Sequence, residues 1–166
     1  MSLRNTSVTL WHLSRWLHGR GLGVLARIIK MFNLLIFSAN LEPEAQVAIT
    51  AHLGHLGIGV TVHGSTIIED GVVIWQHVTI GAVDNKATTG DSGVTLKQNV
   101  QVGAHSIIIA PRGQRIVIGE GAKIAPGSVI RSDVPAGAVV APSESTVVSL
   151  PGDAGSDVAA KPLIDA

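Results

Sequence analysis

An aliphatic residue returns at every sixth position through the middle of this chain. Val62, Ile68, Ile74 and Ile80 form one run, and Leu96, Val102, Ile108 and then Ile118, Ile124, Ile130 resume the same beat. A helix repeats its apolar face every three to four residues and a half-buried strand every two, so neither alone has this period. Glycine or polar residues fill the intervals, and a small residue or valine stands two places before many of the aliphatics, as at Val60, Thr66, Val72, Val78 and Val94. Short strands that each lay one aliphatic inward and then turn a tight polar corner satisfy the pattern, and stacking them builds a parallel β-helix. Three hexads make one triangular coil, so the repeat predicts an all-β core of about five coils.

Composition agrees with a solenoid and narrows the chemistry. Nineteen glycines suit tight corners, while two Phe and three Trp suit a core that stacks aliphatics in place of large rings. The formal net charge is zero, which supplies no global argument for nucleic acid as a partner. There is no cysteine, which excludes disulfides, thiolate metal sites and a Cys nucleophile. No metal site is expected.

Residues 1–40 are different in kind. Arg4, Arg15, Arg20, Arg27 and Lys30 are basic, no acid precedes Glu42, and large apolar residues recur at helical spacing. The spacing predicts two helices, about 7–18 and 22–37, broken at Gly19-Arg20-Gly21. Arg27, Lys30 and Asn33 interrupt the longest apolar stretch below the roughly 18 residues that a membrane span needs. A cytoplasmic location is the default expectation. Basic amphipathic helices of this kind either pack on each other and on neighbouring subunits or lie against an anionic membrane surface. The predicted organisation is a helical segment at 1–40, a β-helix domain at 41–142, and a tail at 143–166 that leaves the hexad register and is expected to be mobile near its end.

Breaks in the hexad clock mark the places where a smooth solenoid wall could grip a ligand. Ile49 to Val62 spans thirteen residues, which predicts one extra residue near His52-Leu53-Gly54-His55-Leu56. Ile80 to Leu96 spans sixteen, so a loop projects across 82–93. Ile108 to Ile118 spans ten, with the extra residues within 111–115.

Taken in order, the chain presents two basic helices, Leu41-Glu42-Pro43-Glu44-Ala45, a His before a Gly-Val-Thr-Val run, Val78-Thr79-Ile80-Gly81, and a glycine-rich loop. Gly119-Glu120-Gly121-Ala122-Lys123-Ile124-Ala125-Pro126-Gly127-Ser128 and the closing Ser132-Asp133-Val134-Pro135 follow. This order resembles the hexapeptide-repeat acyltransferase superfamily, in its serine O-acetyltransferase-like branch, over about residues 8–142. A related group that acetylates sugars in polysaccharide synthesis is resembled at least as well. The resemblance implies a left-handed parallel β-helix preceded by two α-helices, a homotrimer with active sites between subunits, and acetyl-CoA as donor. It implies an acyltransferase.

Acetyl transfer from a thioester to an alcohol needs a base for the hydroxyl proton, and imidazole chemistry suits that role near neutrality. Twelve residues after Pro43, His55 takes the position of the family's catalytic His, with His52 in reserve. Asn40 matches the family's acidic partner of that His, with Glu42 as a substitute, and Gly54 matches an Asp. For the pantetheine arm the resemblance points to Gly81, Ala82, Gly103, Ala104, Ala125 and Ser128, and Arg112, Arg115 and Lys123 are candidates for the nucleotide phosphates. His105, which follows Gly103-Ala104, is a weaker candidate for touching CoA. His63 and His77 fall at corners of the repeat, where packing or solvated roles are commoner.

The acceptor is where the chain departs from the serine enzymes. Their Gly-Asp-Arg-His element matches Gly90-Asp91-Ser92-Gly93 here, so the guanidinium that would fork an amino acid carboxylate is missing. Asn85, Thr88, Thr89, Asp91 and Ser92 offer hydroxyl and amide partners suited to a saccharide. The expected reaction is therefore O-acetylation of a saccharide hydroxyl, with serine O-acetylation or a non-catalytic scaffold as alternatives. A β-helix zinc hydrase fits less well, because His63, His77 and His105 are spaced fourteen and twenty-eight residues apart.

Overall fold

The computed structural model describes residues 6–83, 92–143 and the backbone of 146–147 and 161–162. Two helices lead the chain, α1 (Thr6–Gly19) and α2 (Gly23–Phe37). Between them Gly21 adopts φ +77°, and the Gly21 and Leu22 N–H groups bond the His18 and Leu17 carbonyls, which closes α1 as a left-handed helix cap does.

The repeat then forms a parallel β-helix whose strands are mostly two residues long. Coil one is β1 (Asn40–Leu41), β2 (Gln46–Val47) and β3 (His52–Leu53); coil two is β4 (Thr61–Val62), β5 (Ile67–Ile68) and β6 (Val73–Ile74). Coil three is β7 (Thr79–Ala82), β8 (Gly93–Leu96) and β9 (Gln101–Val102); coil four is β10 (Ile107–Ala110), β11 (Arg115–Ile118) and β12 (Lys123–Ile124). Coil five has β13 (Val129–Ile130), a bridge from Val134 to Ile118, and β14 (Val139–Val140). Three parallel faces result, ordered β1-β4-β7-β10-β13, β2-β5-β8-β11 and β3-β6-β9-β12-β14. Beyond the coils, β15 (Thr146–Val147) pairs antiparallel with β16 (Lys161–Pro162).

Register explains the six-residue beat. Leu41, Val62, Ile80, Ile108 and Ile130 stack directly along the first face, each 5% exposed or less. Full burial of one such side chain stabilises by about 1.5–3 kcal/mol, and the strand hydrogen bonds run from coil to coil. Ile49 is not part of this ladder. It is 83% exposed, and Val47 and Leu53 are the inward residues of coil one. The first break is thus Leu53 to Val62, three residues more than a hexad, and not the single extra residue that counting from Ile49 predicts. The two later breaks fall at one corner: Ala82 registers with Ala110 and Gly93 with Arg115, so the turn at 111–114 stacks on the corner between Ala82 and Gly93.

The helices pack on the first coil. Trp11, 1% exposed, donates its indole N–H to the Glu42 carbonyl at 2.9 Å, and Arg15 donates to the carbonyls of Ala45 and Val47 at 2.6 and 2.8 Å. Asn33 Nδ2 donates to the Ser7 carbonyl at 2.9 Å and Ser14 Oγ to that of Ala26 at 2.7 Å, which fixes α1 against α2. Among the described residues no helix is long and apolar enough to cross a membrane.

Candidate active site

After Leu53 the chain makes one 3-10 turn, Gly54–Gly57, in which His55 (φ 49°, ψ 44°) and Leu56 (φ 61°, ψ 14°) are both left-handed. Residues with a Cβ rarely hold such values, and each costs about 1–3 kcal/mol unless its surroundings hold it. The turn is held by the Ile58 N–H on the His55 carbonyl and the Val60 N–H on that of Gly57. At Gly57 (φ +71°) a Cβ would lie 2.8 Å from Leu53 Cδ1, so this corner admits no other residue without a shift. The three extra residues are spent on lifting His55 out of the wall. Its imidazole is exposed.

His55 stands at one end of a groove of about 340 Å³ along the third face. Trp75 and Gln76 form the near wall, Gly103 and Ala104 the middle, and Lys123, Ala125 and Pro126 the far end. In the repeat, Gly54, Trp75, Gly103 and Ala125 are equivalent, each following an inward residue. The indole occupies the space over Gly54, where a Cβ would approach Cε3 to 2.6 Å, and its ring centroid is 5.6 Å from that of His55 at a 47° tilt. A Cβ at Gly103 would lie 2.5 Å from the Pro126 nitrogen, so glycine keeps the two coils in close contact there. A groove lined by small residues only at its middle and far end, with an ammonium at one end and an imidazole at the other, suits an extended chain with an anionic group near Lys123 and a reacting atom near His55.

Of the residues singled out from the sequence, this groove unites His55, Gly103, Ala104, Lys123 and Ala125. His52 is half-buried and shares an adjoining hollow with His55 and Trp75. Asn40 lies elsewhere, in a groove between α2 and coil one lined by Arg27, Lys30, Glu42 and Glu44, and Glu42 is ion-paired with Lys30 at 2.5 Å. Gly81 and Ala82 sit on β7 of the first face, and Arg112 is exposed on the 111–114 turn. Ser128 is buried, with its hydroxyl donating to the Ala125 carbonyl at 2.7 Å. Ser92 is 3% exposed and its carbonyl accepts from Arg115 Nη2 at 3.1 Å; Asn85, Thr88, Thr89 and Asp91 lie outside the described residues.

The other corner histidines have structural partners. His77 and His105 stack at 4.8 Å with their rings 16° apart, and His77 fills the space over Gly59. His63 Nδ1 accepts from the Ser65 backbone N–H at 3.2 Å and lies 2.9 Å from the Ser65 hydroxyl. Among the described residues no group of three or more His, Cys, Asp or Glu is placed to hold a metal ion. Trp75, Gln76, Gln101 and Pro126 were not singled out from the sequence. For Trp75 a signal existed, because the position after each inward residue of this face is otherwise Gly or Ala.

No family model matches the chain. It is 31% identical over 143 residues to a serine acetyltransferase of Synechococcus elongatus, covering 84% of this chain and 52% of that protein. It is 30% identical over 133 residues to a serine acetyltransferase of Bacillus pumilus, covering 80% and 55%. Among solved structures, serine acetyltransferase of Brucella abortus in complex with coenzyme A superposes with a TM-score of 0.76 at 28% identity, covering 85% of this chain and 54% of that one. The chain spans about half the length of the relatives it matches.

Proposed function

The chain belongs to the hexapeptide-repeat acyltransferase superfamily, in its serine O-acetyltransferase-like branch with a left-handed parallel β-helix, and on that premise we propose that it is an acetyl-CoA-dependent O-acetyltransferase. The observation that carries this reading is the groove on the third face, which joins an exposed imidazole to Gly103, Ala104, Ala125 and Lys123. The pantetheine arm would lie along the small residues, with a phosphate near Lys123 and the thioester beside His55. His55 takes the proton of the acceptor hydroxyl as its oxygen bonds to the thioester carbonyl carbon. The C–S bond then breaks, and the departing thiolate recovers the proton from the imidazolium. A backbone N–H at the carbonyl oxygen would stabilise the charge that develops there.

Serine is the acceptor that the relatives' names favour, ahead of the saccharide expected from the sequence. One observation keeps the saccharide as a second reading: Ser92 and Gly93 stand where the family resemblance places Arg and His. Asn40 and His55 line separate grooves of one chain, so a role for Asn40 in orienting an imidazole belongs to the homotrimer that the resemblance implies.

Thiol release from acetyl-CoA, measured with serine and with a panel of saccharides, tests both parts. His55→Ala is expected to lower turnover by about 10²–10⁴ while acetyl-CoA still binds. Full activity in the variant would remove His55 as the base. Release driven by a saccharide and not by serine would restore the saccharide reading, and failure to bind acetyl-CoA would refute the transferase.

A further inference from the structure

α2 hides only a thin stripe. Ala26 and Asn33 are its buried residues, and nine others are exposed, eight of them large and apolar. At 100° per residue, Val24, Ile28, Met31 and Leu35 form the outermost ridge, opposite Ala26 and Asn33, with Phe32 beside it. Leu35 is 72% exposed and Val24 76%. A contiguous apolar patch on this scale marks an interaction surface and not an ordinary exterior.

Charge identifies what fits it. Arg27 borders the ridge on one side and Arg20 closes the interhelical turn with its guanidinium 3.7 Å from the centre of the Trp16 ring, while Lys30, one step further around the helix, is already ion-paired with Glu42. No Asp or Glu occurs from residue 6 to residue 41. A second copy laid on this face by a two-fold axis would set Arg20 and Arg27 against their own images, with no acid on either helix to answer them. An anionic bilayer instead takes the ridge into its acyl boundary and meets the flanking cations with lipid phosphates. We infer that α2 is a peripheral docking surface for anionic membranes, lying in the interface plane with the β-helix held on the aqueous side. This inference stands apart from the acetyl-transfer reading.

Co-sedimentation of the full chain with phosphatidylglycerol-containing vesicles, against pure phosphatidylcholine vesicles, tests it. Binding to the anionic vesicles that weakens as salt rises is expected. Arg27→Gln should lower partitioning roughly fivefold, and Leu35→Glu should abolish it. Both positions are exposed, so unchanged thermal melting curves should show that the variants fold. Absence of binding to anionic vesicles at low salt overturns the inference. So does a Leu35→Glu variant that splits a larger assembly in light scattering while lipid binding stays unchanged, since the face would then be an interface between copies of the chain.

Discussion

Gly54 has no room for a side chain because the Trp75 indole already fills the space above it. Where the family resemblance puts a carboxylate next to the base, this chain has an aromatic wall one coil away. Gly54→Ala should therefore displace the indole, lower stability by about 1–3 kcal/mol in urea denaturation, and disturb the adjoining His55 turn. Trp75→Leu in the same chain should recover most of the loss, because the crowding atom is gone. If Gly54→Ala is harmless by itself, the indole is not confined as described. The resemblance singled out His55 as a candidate, but its left-handed backbone could not be read from the sequence, since nothing in the letters His-Leu announces φ > 0.

At the level of elements, the docking of α1 on coil one carries a titratable group. His12 sits 3.4 Å from Arg15 Nη1, its Nε2 is buried without a hydrogen-bond partner, and burial, followed by the Arg15 charge, lowers its pKa. In the unfolded chain the ring takes a proton near pH 6.5, so below that value the unfolded state binds more protons and the folded state loses stability as pH falls. The window runs downward from about pH 6.5 to the depressed folded value. Melting temperatures measured through that window should fall with acidification, and His12→Gln should flatten the profile. An unchanged slope in the variant would place the titration elsewhere. The helix boundaries were readable from apolar spacing and from Gly19-Arg20-Gly21. That Arg15 turns inward to bond two carbonyls was not, because a guanidinium on an amphipathic helix reads as solvated until a partner strand is in place.

For the whole molecule, stability comes from coil-on-coil contact, and each inward residue supports neighbours on both sides. Ile80 lies between Val62 and Ile108 in the middle of its ladder and is fully buried. Ile80→Ala is expected to cost about 2–5 kcal/mol in chemical denaturation. A loss well below that range would mean that the ladder closes around the gap. On the same scale, the third face brings residues 55, 75, 103, 123 and 125 into one groove although they are spread over four coils.

The sequence by itself determined the solenoid, because an aliphatic every sixth residue leaves a stacked coil as the way to bury one side of each strand. It also marked where the chain leaves the hexad clock, although counting from Ile49 predicted one extra residue at the first break where the register has three. Only the tertiary structure decided which face each candidate belongs to. Three residues added after Leu53 re-phase everything that follows relative to coil one, and the corners assign residues of one coil that look alike in the hexad, such as Gly81 and Gly103, to different walls. Counting along the chain measures distance in residues, while the site is assembled across coils by hydrogen bonds between strands far apart in sequence.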